Sequence, residues 1–295
     1  MNIKMILLLA MAAVALFYLF VWLRAMQQAR AAGAAIAPSP LQIGIGAVTN
    51  FFDTFGIGSF ATTTAIWRTL KMVRDEYLPG TLNVGHTLPT VAQAFFFIQA
   101  VEVDTTTLLA LIVAAMLGMT VGAKYVANWP RQRVQYGMSI ALFIAAALML
   151  MTIFNKSATA GLATGLVGSK LIIGFLGNFV LGALMSLGIG LYGPCIIMIS
   201  LLGMNPTAAF PIMMGSCAFL MPAGSTQYIQ QKGYDLRAAL GLALGGIPAV
   251  YVAVKIVKSL NVTYVRWIVV AVVLYTAASL LYSALKGKQP APQKA

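Results

Sequence analysis

The sequence predicts an all-α integral membrane protein, two homologous helical repeats with broken or re-entrant helices preceded by one N-terminal helix. Three observations predict it. Of 295 residues, 60% are hydrophobic and 8% charged, with a mean hydropathy of +0.89, whereas soluble domains carry about 25% charged residues. Apolar segments of membrane-crossing length recur along the whole chain, and matched residues recur at a nearly constant spacing between its halves. A soluble protein of this size has to clothe its surface with polar groups, and too few are present; the lipid bilayer is the solvent the composition demands.

The first element is the apolar run Met5 to Leu23, flanked by Lys4 and Arg24. At 1.5 Å per residue it is long enough for a hydrocarbon core of roughly 30 Å. It is longer than a typical signal-peptide core and reads as a retained anchor. Residues 1–40 therefore form an N-terminal transmembrane helix and linker. Further apolar segments at about 41–66, 80–101, 105–127 and 133–154 make up a first repeat over 41–155. After a connector at 156–171, segments at 172–202, 206–229, 236–257 and 262–285 make up a second repeat over 172–285. The tail 286–295, with Pro290 and Pro292, reads as disordered. The segments lack the ten-residue alternation of barrel strands, so helices are expected.

The repeat rests on position. Gly56-Ile57-Gly58 falls on Gly188-Ile189-Gly190, an offset of 188 − 56 = 132. Gly85 falls on Gly215 at 130, and Asp104 on Asp235, Lys124 on Lys255 and Val134 on Val265 all at 131. Duplicated halves with a binding site at their interface are a recurrent plan of secondary transporters.

Nineteen Lys and Arg against six Asp and Glu give a net charge of +13. The basic residues form short clusters between apolar runs: Arg68, Lys71 and Arg74; Lys124, Arg131 and Arg133; Lys255, Lys258 and Arg266. That is the distribution of cytoplasmic loops, not of a nucleic-acid surface. Two topologies follow. If 41–66 and 172–202 each cross once as broken helices, the three clusters share one side. If each Gly-Ile-Gly is the tip of a re-entrant hairpin, the crossing count per half becomes odd and the halves are inverted.

The candidate site lies at these interruptions. Gly56 and Gly58 interrupt one apolar segment, and Gly188, Gly190, Gly193 and Pro194 interrupt its counterpart. Glycine frees the backbone and proline removes a donor, so helix breaks are expected at both. Broken backbone is tolerated in a bilayer only where it faces protein or a wet cavity. Free N–H groups at the restart, near Ser59 to Thr63 and Leu191 to Cys195, would cradle an anion, with Thr62, Thr63 and Thr64 adding hydroxyls. Asp53, in Asn50-Phe51-Phe52-Asp53-Thr54, is a carboxylate inside an apolar segment and a functional candidate on that ground. So near an anion it would need a proton, which points to proton or cation coupling. His86, the single histidine, lies in Asn83-Val84-Gly85-His86 opposite Gly215-Ser216-Cys217 and suits either a structural bond or substrate contact. Asn83, Ser216, Gln93, Gln99 and Gln227 are neutral polar groups able to line a path or to join helices. Asp104 and Asp235 stand where a carboxylate caps a helix. Cys195 and Cys217 read as small buried thiols. No nucleophile with a base, Walker loop, paired metal ligands or dinucleotide unit is present, so neither an enzyme nor a cofactor is expected.

At these residues the chain resembles the TauE/SafE-like sulfite and organosulfur anion exporters, a family of duplicated membrane permeases. The resemblance covers about 41–285 and rests on Gly-Ile-Gly in each half, the small-residue segments Gly85-His86-Thr87-Leu88 and Gly215-Ser216-Cys217-Ala218, and the aspartate-led helices that follow. The second half keeps the family's glycine cluster with a proline; the first has Ser59 and Phe60 there instead. The resemblance implies a multi-pass protein of a bacterial inner membrane that moves sulfite, a sulfonate or a related small oxyanion on an ion gradient. An anion channel and a membrane assembly factor without transport are the alternatives.

Overall fold

The computed structural model describes residues 3–122, 131–154, 163–185, 190–259 and 262–286. Gly188, Lys124, residues 156–162 of the connector and the tail beyond Lys286 lie outside the described residues. Among the described residues the secondary structure is helical, apart from one isolated parallel bridge between Ala163 and Met204.

Helix α1 (Ile3–Ala31) turns one narrow stripe, Leu7, Met11, Tyr18 and Trp22, onto the rest of the protein and leaves Leu16 and Phe17 more than 60% exposed. The Tyr18 hydroxyl donates to the Val84 carbonyl at 2.7 Å. Helix α2 (Pro40–Asp53) starts at a capping box in which the Ser39 and Gln42 side chains each satisfy the other's backbone N–H, with Pro40 at the first helical position. Gly56 and Gly58 follow at φ +94 and +84, a region open to glycine at no steric cost. Helix α3 (Ser59–Leu70) ends with Lys71 in the left-handed conformation. Then come α4 (Leu78–Ala100), α5 (Thr105–Leu117) with a π-turn over Gly118–Gly122, and α6 (Arg131–Phe154). The remaining helices are α7 (Ser169–Met185), α8 (Tyr192–Leu201), α9 (Ala209–Gln230), α10 (Leu236–Ser259) and α11 (Val262–Lys286).

The two interrupted segments fold back on themselves. Asn50 of α2 and Thr63 of α3 both reach His86 of α4, at 2.9 and 3.1 Å. Further from the break, Ile45 and Trp67 share one buried cluster with Leu78 and Leu82. So α3 runs back along α2, and Gly56 to Gly58 form the tip of a hairpin. In the second segment Gly177 faces Met198, while a Cβ added at Gly174 would lie 3.3 Å from Leu202 Cδ1; α8 likewise returns along α7.

Other pairings fix the remaining directions. Helices α2 and α10 run parallel, because Gln42 meets Gly241 and Asn50 meets Gly246. Helices α5 and α7 run parallel too, with Leu111 against Asn178 and Ala115 against Gly182. Helices α4 and α9 are antiparallel: Thr87 bonds Ser225 at 2.9 Å, and Phe97 stacks on Phe210. The same holds for α6 and α11, where Gln132 donates to the Ala284 carbonyl and Ser139 to that of Ala277. At one end of the bundle the Asp235 N–H donates to Thr81 and Arg237 donates to the Ala37 carbonyl. At the other end Asp104 and Asn205 donate their N–H groups to the carbonyls of Thr164 and Ala163. The basic run Arg68 to Arg74 lies at the first end. Lys255, near the far end of α10, lies toward the second, so the single-crossing expectation that placed these clusters on one side does not hold.

Asp104 and Asp235 cap α5 and α10: Asp104 accepts from the N–H and hydroxyl of Thr107 at 2.8 and 2.9 Å, and Asp235 from the Ala238 N–H at 2.8 Å. Asp104→Ala and Asp235→Ala are each expected to lower stability by about 1 kcal/mol, read as a fall in the unfolding midpoint of the detergent-solubilised protein.

Polarity is distributed inside out. Asn50, Gln93 and Asn178 are fully buried, while Ile172, Leu176, Val48 and Leu244 are more than half exposed; soluble monomers rarely expose apolar surface on this scale. Among the described residues three helical segments, Ile3–Ala31, Pro206–Gln230 and Leu236–Ile256, are long and apolar enough to cross a membrane. Their length and composition are those of a membrane protein.

Candidate functional site

The interior polar residues converge on the tip of the first hairpin. Asp53, the last residue of α2, is buried. Its Oδ1 accepts the Ser59 N–H at 2.6 Å, so it caps α3 across the glycine break. Its Oδ2 accepts Nε2–H of Gln93, from α4, at 2.9 Å. The same amide nitrogen reaches Thr54 Oγ1 at 3.2 Å, and Thr54 spends its own proton on the Asn50 carbonyl at 2.9 Å. Gln93 Oε1 in turn accepts the hydroxyl proton of Tyr192, the first residue of α8, at 2.9 Å. One side chain on α4 thus ties the first hairpin to the start of the second hairpin's return limb.

Beside this chain lies a narrow cavity of about 30 Å³, sufficient for a small ion or a few waters. Asp53, Gly58, Ser59 and Phe60 line it from the first hairpin, Met185, Gly190, Leu191 and Tyr192 from the second, and Thr90, Cys217 and Met221 from α4 and α9. No Lys or Arg is among these residues.

Several expected site residues meet here: Asp53, Gly58, Ser59 and Gly190. Others do not line the cavity. Gly56 packs behind the tip, where an added Cβ would lie 3.0 Å from Ile196 Cδ1. Gly193 packs against Thr276 of α11, at the same distance, and Pro194 is the third residue of α8, outside the lining. Thr62 returns its hydroxyl to the carbonyls of Gly58 and Ser59. Thr63 is committed to His86, and Thr64 is half-buried outside the lining. Asn83 donates to the Pro79 carbonyl one turn back. Ser216 pairs with Asn178 at 3.1 Å; its neighbour Cys217 takes the place in the wall and points its thiol at Met185 Sδ, 3.7 Å away. Gln99 and Gln227 are exposed.

His86 has a structural assignment. Asn50 gives its amide protons to the carbonyls of Gly46 and Leu242, at 2.8 and 3.5 Å, which leaves Oδ1 as the acceptor facing Nδ1 of His86. The ring is therefore the Nδ1–H tautomer, and Nε2 accepts from Thr63. With both nitrogens used, the imidazole clamps α2, α3 and α4 together and has nothing left for a substrate. A similar knot recurs 67 residues apart on the other pair: Asn178 donates to the Leu111 carbonyl at 2.6 Å as Asn50 does to that of Leu242, and Ser216 stands where His86 does.

The anion cradle expected at the restart of α3 is filled in part by the chain itself, since the first N–H, that of Ser59, is taken by Asp53. Tyr192 is the residue sequence reasoning missed. It stands 132 after Phe60, the Gly-Ile-Gly offset, and both rings line the cavity; carrying the repeat two residues further would have found it.

Compared with protein-family models, curated proteins and solved structures, the chain has no match.

Proposed function

We propose that the chain is a secondary transporter of a small anion, such as sulfite, a sulfonate or a related oxyanion, built from two inverted repeats and coupled to protons through Asp53. The duplication is supported by more than spacing. Under the offset, α2 to α6 correspond in order to α7 to α11, and the packing has the same correspondence: α2 on α10 matches α7 on α5, and both pairs are parallel. Equivalent helices packed on each other, α4 on α9 and α6 on α11, run antiparallel. A two-fold axis relating antiparallel membrane helices lies in the membrane plane, the arrangement of inverted-topology transporters. Hairpins that enter and leave on one face leave three crossings per half, an odd number, which agrees. The end carrying Arg68, Lys71, Arg74, Lys232 and Arg237 then faces the cytoplasm.

The observation that carries the function is that a residue of each hairpin's return limb, Ser59 and Tyr192, borders one cavity with Asp53 in its wall. Such a cavity between re-entrant tips is where alternating access places a substrate. With no basic residue in the lining, an anion's charge has to be met by helix N-terminal N–H groups and hydroxyls, and Asp53 has to be neutral while the anion is bound.

The test is uptake of sulfite, taurine and sulfoacetate into proteoliposomes with and without a pH gradient. Gly190→Leu is the diagnostic variant. Gly190 lines the cavity, and among the described residues no atom lies within 4 Å of its Cβ position, so a larger side chain has room beside the site. Flux is expected to fall to background in a protein that still elutes as a monodisperse species; undiminished flux would remove the cavity from the pathway.

A further inference from the structure

The hydrogen-bond chain joining the two hairpins is directional, and its direction depends on one proton. With Asp53 ionised, both of its oxygens accept, from Ser59 N–H and from Gln93 Nε2–H. Thr54, its proton already on the Asn50 carbonyl, can also only accept from Gln93. The Gln93 amide is therefore held with its nitrogen toward Asp53 and its oxygen toward Tyr192, and Tyr192 must spend its hydroxyl proton on that oxygen. In this state the cavity wall presents a carboxylate and a phenol oxygen whose proton points away.

We propose that Gln93 is a toggle that turns the Tyr192 hydroxyl toward the cavity when Asp53 takes up a proton, making Tyr192 a substrate-facing donor of the protonated state alone. A proton from the aqueous phase adds to Asp53 Oδ2, and that oxygen becomes a donor. Nε2–H can no longer face it, so the amide turns by half a rotation and offers Oε1 to the new O–H, and the Thr54 hydroxyl turns its proton from the Asn50 carbonyl, which keeps the Thr54 N–H, to the same Oε1. Nε2–H now points at the Tyr192 oxygen, which accepts, and the Tyr192 proton is released from Gln93 and turns into the cavity. No bond other than the Asp53 O–H is made, and one proton enters. The wall thereby loses a negative charge and gains a hydrogen-bond donor in one step, both of which favour an anion. The other titratable groups on the helices packed around Asp53 are Cys195 of α8, Cys217 of α9 and His86 of α4. The thiols sit in apolar surroundings and both nitrogens of the imidazole are engaged, so none competes for this role.

The inference rests on Asp53 as the coupling acid, and it can be tested with no substrate present. The measurement is pH-difference infrared spectroscopy of the full chain in lipid bilayers, with ring-deuterated tyrosine and the Tyr192→Phe variant to identify the Tyr192 band. The expected result is a Tyr192 band that shifts in step with the Asp53 carboxyl band. It becomes insensitive to pH in Asp53→Asn, and in Gln93→Leu the carboxyl still titrates while the Tyr192 band stays still. A Tyr192 band that ignores Asp53 titration in the unmodified chain, or that follows pH in Asp53→Asn, overturns the toggle. The unmodified chain and Asp53→Asn decide the matter even where Gln93→Leu does not fold. Failure here leaves the uptake measurement with sulfite untouched, so the two readings stand or fall separately.

Discussion

Asp53→Asn is expected to abolish pH-gradient-driven accumulation of sulfite in proteoliposomes while leaving sulfite exchange between the two sides measurable. Asparagine keeps the shape of the carboxyl group, and its oxygen still accepts the Ser59 N–H that closes the break between α2 and α3. Its amide nitrogen then faces Gln93 as a donor, as a protonated Asp53 would. The variant is locked in the neutral form of the site, free to bind an anion and unable to exchange a proton with it. Uphill movement needs that exchange, whereas one-for-one swapping of anions does not. The two measurements separate loss of coupling from loss of fold: a misfolded protein loses both. Accumulation equal to that of the unmodified chain would show that Asp53 is only a helix cap.

The second large effect is structural. Gly46→Leu is expected to prevent α2 from docking on α10, with loss of the folded monodisperse protein in detergent. A Cβ at this position would lie 2.6 Å from both the Gly241 carbonyl oxygen and Leu242 Cα, and Gly241 in turn has Gln42 against it at 2.6 Å. The Gly241 oxygen and Leu242 Cα are backbone atoms, fixed in place by α10, and cannot rotate aside as a side-chain end would. Overpacking in a well-filled core costs about 1–3 kcal/mol even where side chains can adjust, and here they cannot. Small residues that let membrane helices approach this closely are a known device of lipid-embedded packing. The control is Gly137→Leu on α6, where no atom lies within 4 Å of the Cβ position; it should fold normally.

What the sequence made legible follows from what each signal depends on. The helical character, the breaks at Gly56 and Gly58 and the caps at Asp104 and Asp235 depend on residues near in the chain, so composition and local spacing expose them. The convergence of Asp53, Gln93 and Tyr192 depends on three helices meeting, and separations of 40 and 99 residues leave no local trace. His86 illustrates the opposite error. Being the single histidine made it conspicuous as a contact, yet its two nitrogens are consumed by Asn50 and Thr63, a fact that only packing reveals. Charge points the wrong way for α10: gathering the three basic clusters on one side requires single crossings, whereas α10 starts beside Thr81 and carries Lys255 away from the Arg68 to Arg74 end.

The shortness of the hairpin limbs has an electrical consequence. At 1.5 Å per residue the 14 residues of α2 and the 12 of α3 extend about 21 and 18 Å, against a hydrocarbon thickness of roughly 30 Å. In the proposed arrangement neither limb of the first hairpin would span that thickness, and its tip would halt partway, with Asp53 inside the membrane. Membrane voltage is worth about 2.3 kcal/mol per elementary charge per 100 mV across the full barrier. In that arrangement an ion or proton arriving at Asp53 from either compartment would traverse only a fraction of that drop, and the occupancy of this carboxyl would respond to potential as well as to pH.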